Sequence, residues 1–200
     1  LLWFSVPGRF NRLIERKKIM AFFSDIHTIG VNPIADIDSG ILSPSSVSSG
    51  STTRIPTPPL VPGMIVRAKD PTYGEGEFIL LAGVASTAVG SIVTYNTSSF
   101  TTALAPAGAN LPQPIAVAMA ANTAATTWSW YQISGIAVCA KTASVSLAAN
   151  APVGVTTAGV FNASATGAEV QGALVAAVST TAATTVQVVI NRPHMQGRIT

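Results

Sequence analysis

Charge is what this chain has least of. Charged residues make up 10% of it, against ~25% in an ordinary soluble domain, so its surface must be built largely from Ser, Thr, Asn, Gln, Gly and Ala. Such a surface gives copies little electrostatic reason to stay apart and suits an ordered assembly. The shortage is most acute from Phe78 to Ala168, where there is no Asp or Glu and Lys141 is the single basic residue. General acid/base catalysis needs titratable side chains that converge, and this stretch has almost none to offer. The chain therefore reads as non-enzymatic and without a cofactor.

Cysteine is nearly absent too. Cys139 is the only one, which excludes an internal disulfide framework and metal clusters built on paired cysteines. Set in the apolar run Gly135-Ile-Ala-Val-Cys139, it reads as a small buried hydrophobe. His27 and His194 are isolated from each other and from any acidic cluster, so no metal site is expected. No apolar run reaches the ~18 residues of a membrane span, and Leu1–Val6 precede the basic residues instead of following them, the wrong order for a secretory signal. No membrane partner is expected.

The net charge of +3 is an accident of one end. Residues 1–19 hold Arg9, Arg12, Arg16, Lys17 and Lys18 against Glu15, while the other 181 residues carry six basic and seven acidic side chains. The body is not basic, so a nucleic-acid partner is not expected. Composition shifts sharply at Met20. Residues 1–19 read either as an untranslated upstream leader, a conceptual translation of message ahead of Met20 as the true start, or as a basic amphipathic segment.

What is present falls into two parts. Residues 20–63 hold Pro33, Pro44, Pro56, Pro58, Pro59 and Pro62 and the Ser-rich run 43–51, without sustained helical or alternating periodicity. Proline lacks a ladder donor and serine competes for backbone bonds, so the segment is expected to be an extended arm. Its apolar residues Phe22, Phe23, Ile26, Ile29, Ile34, Ile37, Ile41 and Leu42 are the candidate anchors by which it would lie along another subunit.

Residues 64–200 change texture to short β-branched runs separated by Gly, Ala, Asn and Thr. Strands are predicted at 65–68, 78–84, 91–96, 114–120, 128–138, 153–156, 172–178 and 185–191, a small all-β barrel or sandwich. A weak repeat runs through it. Pro114-Ile-Ala-Val-Ala-Met-Ala120 precedes Gly172-Ala-Leu-Val-Ala-Ala-Val178 by 58 residues, and Asn122-Thr-Ala-Ala-Thr-Thr-Trp128 precedes Thr180-Thr-Ala-Ala-Thr-Thr-Val186 by the same offset. Upstream of each lies a turn and strand, Val89–Thr94 and Ala151–Thr156, so an internal duplication is expected.

Two constellations could carry binding. Asp70-Pro-Thr-Tyr-Gly-Glu-Gly-Glu77 is the densest acidic group; it reads as a solvated turn leading into the first core strand, with a calcium loop as the sharper alternative. Trp128, Trp130 and Tyr131 lie on one predicted strand, with the two tryptophans on one face and Tyr131 on the other. They read as a core or subunit-interface cluster, with a sugar-stacking platform as the alternative.

The run from Asp70 to Tyr95, together with Pro114-Ile-Ala-Val-Ala-Met119, Trp130-Tyr-Gln-Ile-Ser-Gly-Ile-Ala137 and Asn191-Arg-Pro193, resembles a family of tailed-phage virion structural proteins. The Gly- and Ala-bounded strands of Ala143–Val178 are similar in style to small β-barrel decoration, or cement, proteins of phage heads. That resemblance implies a homotrimer on the outer surface of the capsid whose N-terminal arm clamps the major capsid protein. The arm is longer and richer in proline than a minimal decoration subunit needs, which keeps a head-fibre or tail component with a carbohydrate-binding β-domain as the alternative.

Overall fold

The computed structural model describes residues 61–122 and 127–197 in full, and the backbone alone of Phe23–Ser24 and Ile41–Leu42. The segment 1–19 and the arm residues Phe22, Ile26, Ile29, Ile34 and Ile37 lie outside the described residues.

The described chain is all-β. Two dipeptides, β1 (Phe23–Ser24) and β2 (Ile41–Leu42), come first, followed by β3 (Ile65–Asp70), β4 (Gly74–Ala82), β5 (Ile92–Tyr95), β6 (Thr102–Leu104), β7 (Ile115–Ala118), β8 (Trp128–Ala140), β9 (Pro152–Thr157), β10 (Val160–Ala163), β11 (Glu169–Val175) and β12 (Thr185–Met195). All eight strands expected from the sequence are present. The Ala-rich pieces form strand because Thr, Val and Gly interrupt any helical stripe, leaving the period of two to sort buried from exposed side chains. Together they make one curled twelve-stranded sheet with the principal order β1-β3-β4-β8-β12-β11-β9-β10, while β5, β6 and β7 attach through β8.

The duplication shows in the topology. β5 pairs antiparallel with both β6 and β7, and β7 pairs with β8; likewise β9 pairs with both β10 and β11, and β11 pairs with β12. Details of the ladders repeat as well. Gly90 donates to the Ala118 carbonyl while Ala118 donates to Ser91, and correspondingly Asn150 donates to Val175 while Val175 donates to Ala151. The Thr87–Asn122 bridge of the first copy answers to the Leu147–Ser179 bridge of the second.

β8 joins the copies. Its first half pairs with β4 (Leu80↔Trp130, Glu77↔Ser134) and its second half with β12 (Ser134↔Asn191, Ala140↔Thr185). The handover occurs at Gly135, where φ is +100° and a Cβ would collide with the Glu75 carbonyl. Only glycine tolerates that backbone without strain. Gln132 secures the crossing, its Nε2 donating to the carbonyls of Ser134 and Ile136 on either side.

Because the sheet curls, its faces enclose three apolar clusters. The largest is shared by the two copies and includes Ile92, Val117 and Cys139 with Val155, Phe161, Val188, Ile190 and Met195. A second gathers Val66, Phe78, Leu80, Met119 and Trp130 under the β3–β4 hairpin. The third packs Ile79, Leu81, Val93, Ala116, Ala118, Tyr131 and Ile133 beneath Tyr95, Phe100 and Leu104. Full burial of each large side chain contributes about 1.5–3 kcal/mol, so a domain with few charges is held mainly by these clusters.

Candidate functional site

The acidic run 70–77 folds as a hairpin. Residues 74–77 are strand, not a solvated turn, because Arg67 and Lys69 on β3 stand opposite Glu77 and Glu75 on β4. Arg67 reaches Glu77 at 3.2 Å, Lys69 reaches Glu75 at 3.1 Å, and Arg192 from β12 reaches the other Glu77 oxygen at 3.2 Å. Asp70 is buried, and its Oδ1 accepts from the backbone N–H of Thr72 at 2.6 Å and of Tyr73 at 2.8 Å. That is an Asx turn, the role for which a short acceptor side chain suits a tight connection. Each acid is thus turned to a different partner, and the calcium-loop alternative loses its ligand set. Among the described residues, no group of three or more His, Cys, Asp or Glu is placed to hold a metal ion.

The aromatic strand is core. Trp130 is 1% exposed and packs with Phe78 and Leu80, while Tyr131 is 0% exposed on the opposite face among Ile79 and Ile133. Trp128 is half-buried against the Trp130 cluster. A sugar-stacking platform needs an exposed ring face, and Trp130 and Tyr131 have none. The Tyr131 hydroxyl sits beside Thr102 and Asn122, yet makes no hydrogen bond of good geometry with either. Burial raises its pKa above the ordinary phenol value, and those two neighbours only partly oppose the shift. Tyr95 is raised for the same reason, offset in part by the Arg192 charge.

Cys139 is fully buried, and desolvation alone pushes its thiol far above the ordinary value. A nucleophilic thiol needs the reverse, a depressed pKa and access. Lys141, the lone base of the central stretch, is also buried; its Nζ donates to the carbonyls of Thr142 (3.0 Å), Val145 (2.5 Å) and Thr180 (3.2 Å). It crosslinks two turns of the second copy. In the first copy Asn122 closes the corresponding end: it lies over Gly83 where a side chain would otherwise be, and its Nδ2 donates to Ser129 Oγ.

All eight charged side chains among the described residues therefore have a partner within the chain. Three basic groups pair with Glu75 and Glu77, Asp70 caps a turn, Lys141 binds carbonyls, and Glu169 accepts from Ser164 at 3.2 Å and Gln171 at 3.1 Å. Four acids and four bases leave this part of the molecule formally neutral. Nothing in the sequence marked Lys141 or Asp70 as buried; isolation in an apolar stretch was the only signal for Lys141.

Two surface features remain. An open cleft of about 280 Å³ is lined by Thr94, Tyr95, Asn96, Thr101, Thr102, Ala103 and Gln113. The other is apolar: Ile65, Val89, Leu174, Val178 and Val189 are large hydrophobic residues left exposed. Of the expected arm anchors, Phe23 pairs by backbone with Lys69 on the edge strand β3, and Ile41 and Leu42 pair with Ser129 and Trp128 on β8. Those three residues meet this chain's own sheet.

No protein-family model matches the chain, and no curated protein matches it in sequence.

Proposed function

We propose that this protein is a non-enzymatic virion structural subunit, a capsid decoration protein that binds the major capsid protein on the outer surface of a phage head and associates with further copies of itself, as a homotrimer in the arrangement that the sequence resemblance implies. The observation that carries this reading is the use of charge. The described ionic side chains are few and each has a partner within the chain, with Arg67, Lys69, Glu75 and Arg192 in exposed pairs beside the β3–β4 hairpin, so the rest of the described surface is apolar, hydroxyl and amide. Such a surface can form extended packing contacts but offers no converging acid, base or nucleophile.

The arm supplies the second contact. Strand addition, seen in the pairing of Phe23–Ser24 with β3 and of Ile41–Leu42 with β8, is a mode in which backbone hydrogen bonds give affinity and alternate side chains give specificity. The same residues, exchanged onto a neighbour's sheet edge, would tie subunits to the shell. Individual contacts of this kind are weak, and linkage within an oligomer multiplies them.

Cryo-electron microscopy of the native particle that carries the protein tests the reading. The expected density is a β-domain outside the head, with residues 20–62 running along capsid subunits. Density confined to the tail, or absence from the particle, would overturn the capsid role.

A further inference from the structure

The cleft beside Tyr95 is built on a loop longer than its strands require. β5 and β6 are joined by six residues, 96–101, whereas their counterparts β9 and β10 are joined by Ala158 and Gly159 alone. The second copy makes the same antiparallel pairing with the short turn, so pairing does not call for the longer one. Loops set on a rigid scaffold are where binding residues concentrate. This loop is also firmly held. Asn96 Oδ1 accepts from the backbone N–H of Ser98 at 2.8 Å and of Ser99 at 3.0 Å, the Phe100 N–H donates to the Asn96 carbonyl at 2.9 Å, and the Ser99 and Thr101 hydroxyls bond each other at 2.8 Å. Phe100 takes φ +55°, a region that bulky residues seldom enter, and its ring fills the space over Gly63.

The cleft walls are uncharged and rich in groups that give and accept hydrogen bonds. With its Oδ1 turned to the loop backbone, Asn96 keeps both Nδ2 protons for a ligand. Gln113 is brought to the cleft by the bond from the Tyr95 N–H to the Pro114 carbonyl at 3.2 Å. Neither the Gln113 amide nor the Tyr95 hydroxyl has a hydrogen-bond partner among the described residues. Tyr95 is half-buried, packed in part on the third apolar cluster, so the cleft has an aromatic wall among polar ones. Arg192, the charge that acts on Tyr95, is engaged with Glu77 at 3.2 Å and leaves no unpaired charge to draw an ionic ligand. The volume of about 280 Å³ is at the lower end of the ~300–1,000 Å³ usual for ligand sites, room for one ring and not for a chain of them.

We propose that this cleft binds one neutral sugar residue, a hexose or N-acetylhexosamine at the end of a glycan. A sugar ring presents hydroxyls that donate and accept at once, together with an apolar C–H face. The cleft meets the first with the amides of Asn96 and Gln113 and the hydroxyls of Tyr95 and Thr101, and the second with the Tyr95 ring. The site makes no use of Trp130 or Tyr131, which are buried, and it goes beyond the structural role without depending on it. A preformed rim lowers the cost of ordering on binding. For a ligand of one ring a Kd of about 1 mM is expected, and several copies facing a glycan-bearing surface multiply so weak a contact.

The test titrates the full chain with the methyl glycosides of glucose, galactose, mannose, N-acetylglucosamine and N-acetylgalactosamine from about 0.1 to about 20 mM, a range that spans the expected affinity, and follows backbone amide chemical shifts. At least one glycoside is expected to saturate and to move the amides of Tyr95, Asn96 and Gln113. Gln113→Ala, at an exposed position, and Asn96→Asp, which keeps the turn acceptor and loses the Nδ2 donors, are each expected to weaken binding about fivefold, the effect of one hydrogen bond, while melting as the wild type does. No saturable shift with any of the five, shifts centred away from the cleft, or variants that bind as the wild type does overturns the proposal. Should either variant melt lower, Ala103→Trp decides by filling the cleft from an exposed position: it is expected to abolish binding, and saturation with the wild-type affinity overturns the proposal.

Discussion

Lys141 is the costliest side chain in the domain to bury and the one most completely repaid. An ammonium group removed from water is tolerated only when its donors are satisfied, and three carbonyls from two turns do this. Replacing it with Ala or Met strands those carbonyls without their donor; a urea midpoint shift corresponding to a loss of about 2–4 kcal/mol is expected for either variant. A Met variant as stable as the wild type would show that the aliphatic stem, and not the ammonium, holds the turns. The buried tyrosines give a pH signature with a definite sign. A phenol whose folded pKa is raised favours the protonated state, so its contribution is complete below the unfolded value of ~10 and is lost as pH rises through the raised folded value. Stability is therefore expected to decline above about pH 10, and Tyr131→Phe to decline less steeply. Equal alkaline slopes for variant and wild type in a stability titration would remove Tyr131 as the cause.

At the level of elements, β8 is the strand on which both copies depend, and Gly135 is where it changes partner. Gly135→Ala forces a side chain into the Glu75 carbonyl at φ +100° and is expected to lower stability by ~2–4 kcal/mol, read from chemical denaturation. A neutral effect would mean that the bulge relaxes without disturbing either pairing. The sequence made the long strands legible because apolar and β-branched residues run through them. It hid β6 and β10, since Thr102–Leu104 and Val160–Ala163 are short and carry little alternation. It also disguised the start of β4. The acids at 75 and 77 resembled a solvated turn, but the two-residue spacing of Arg67 and Lys69, matched by that of Glu75 and Glu77, is the pattern of a charge-paired hairpin. The binding alternatives went unresolved for a related reason: whether Asp70 meets a cation or its own turn, and whether Trp130 faces solvent or Phe78, depends on contacts that no local pattern encodes.

At the scale of the molecule, the repeat predicted from Ala- and Thr-rich segments is a duplicated arrangement of strands, but its copies are not separate units. The strand that closes the first copy, β8, also pairs with β12 of the second; the first half of β8 serves the clusters of Trp130 and Tyr131, and its second half supplies Ala137 and Cys139 to the shared cluster. Shared strands couple unfolding, because breaking either copy leaves the common element without half its partners. The expected behaviour is one transition seen identically by two local probes. Tryptophan fluorescence in a Trp3→Phe background reports the Trp128 and Trp130 cluster of the first copy, and labelling of Cys139 reports the large cluster that contains nearly all the buried apolar residues of the second. Native Cys139 should resist thiol reagents, as a wholly buried thiol with a raised pKa must, and should become reactive only as the fold opens. With labelling fast relative to refolding suppressed by short pulses, the midpoint in urea for Cys139 exposure should coincide with that for fluorescence. Separated midpoints would mean that the second copy opens alone, and that the crossing at Gly135 is a hinge between two folding units and not a joint within one.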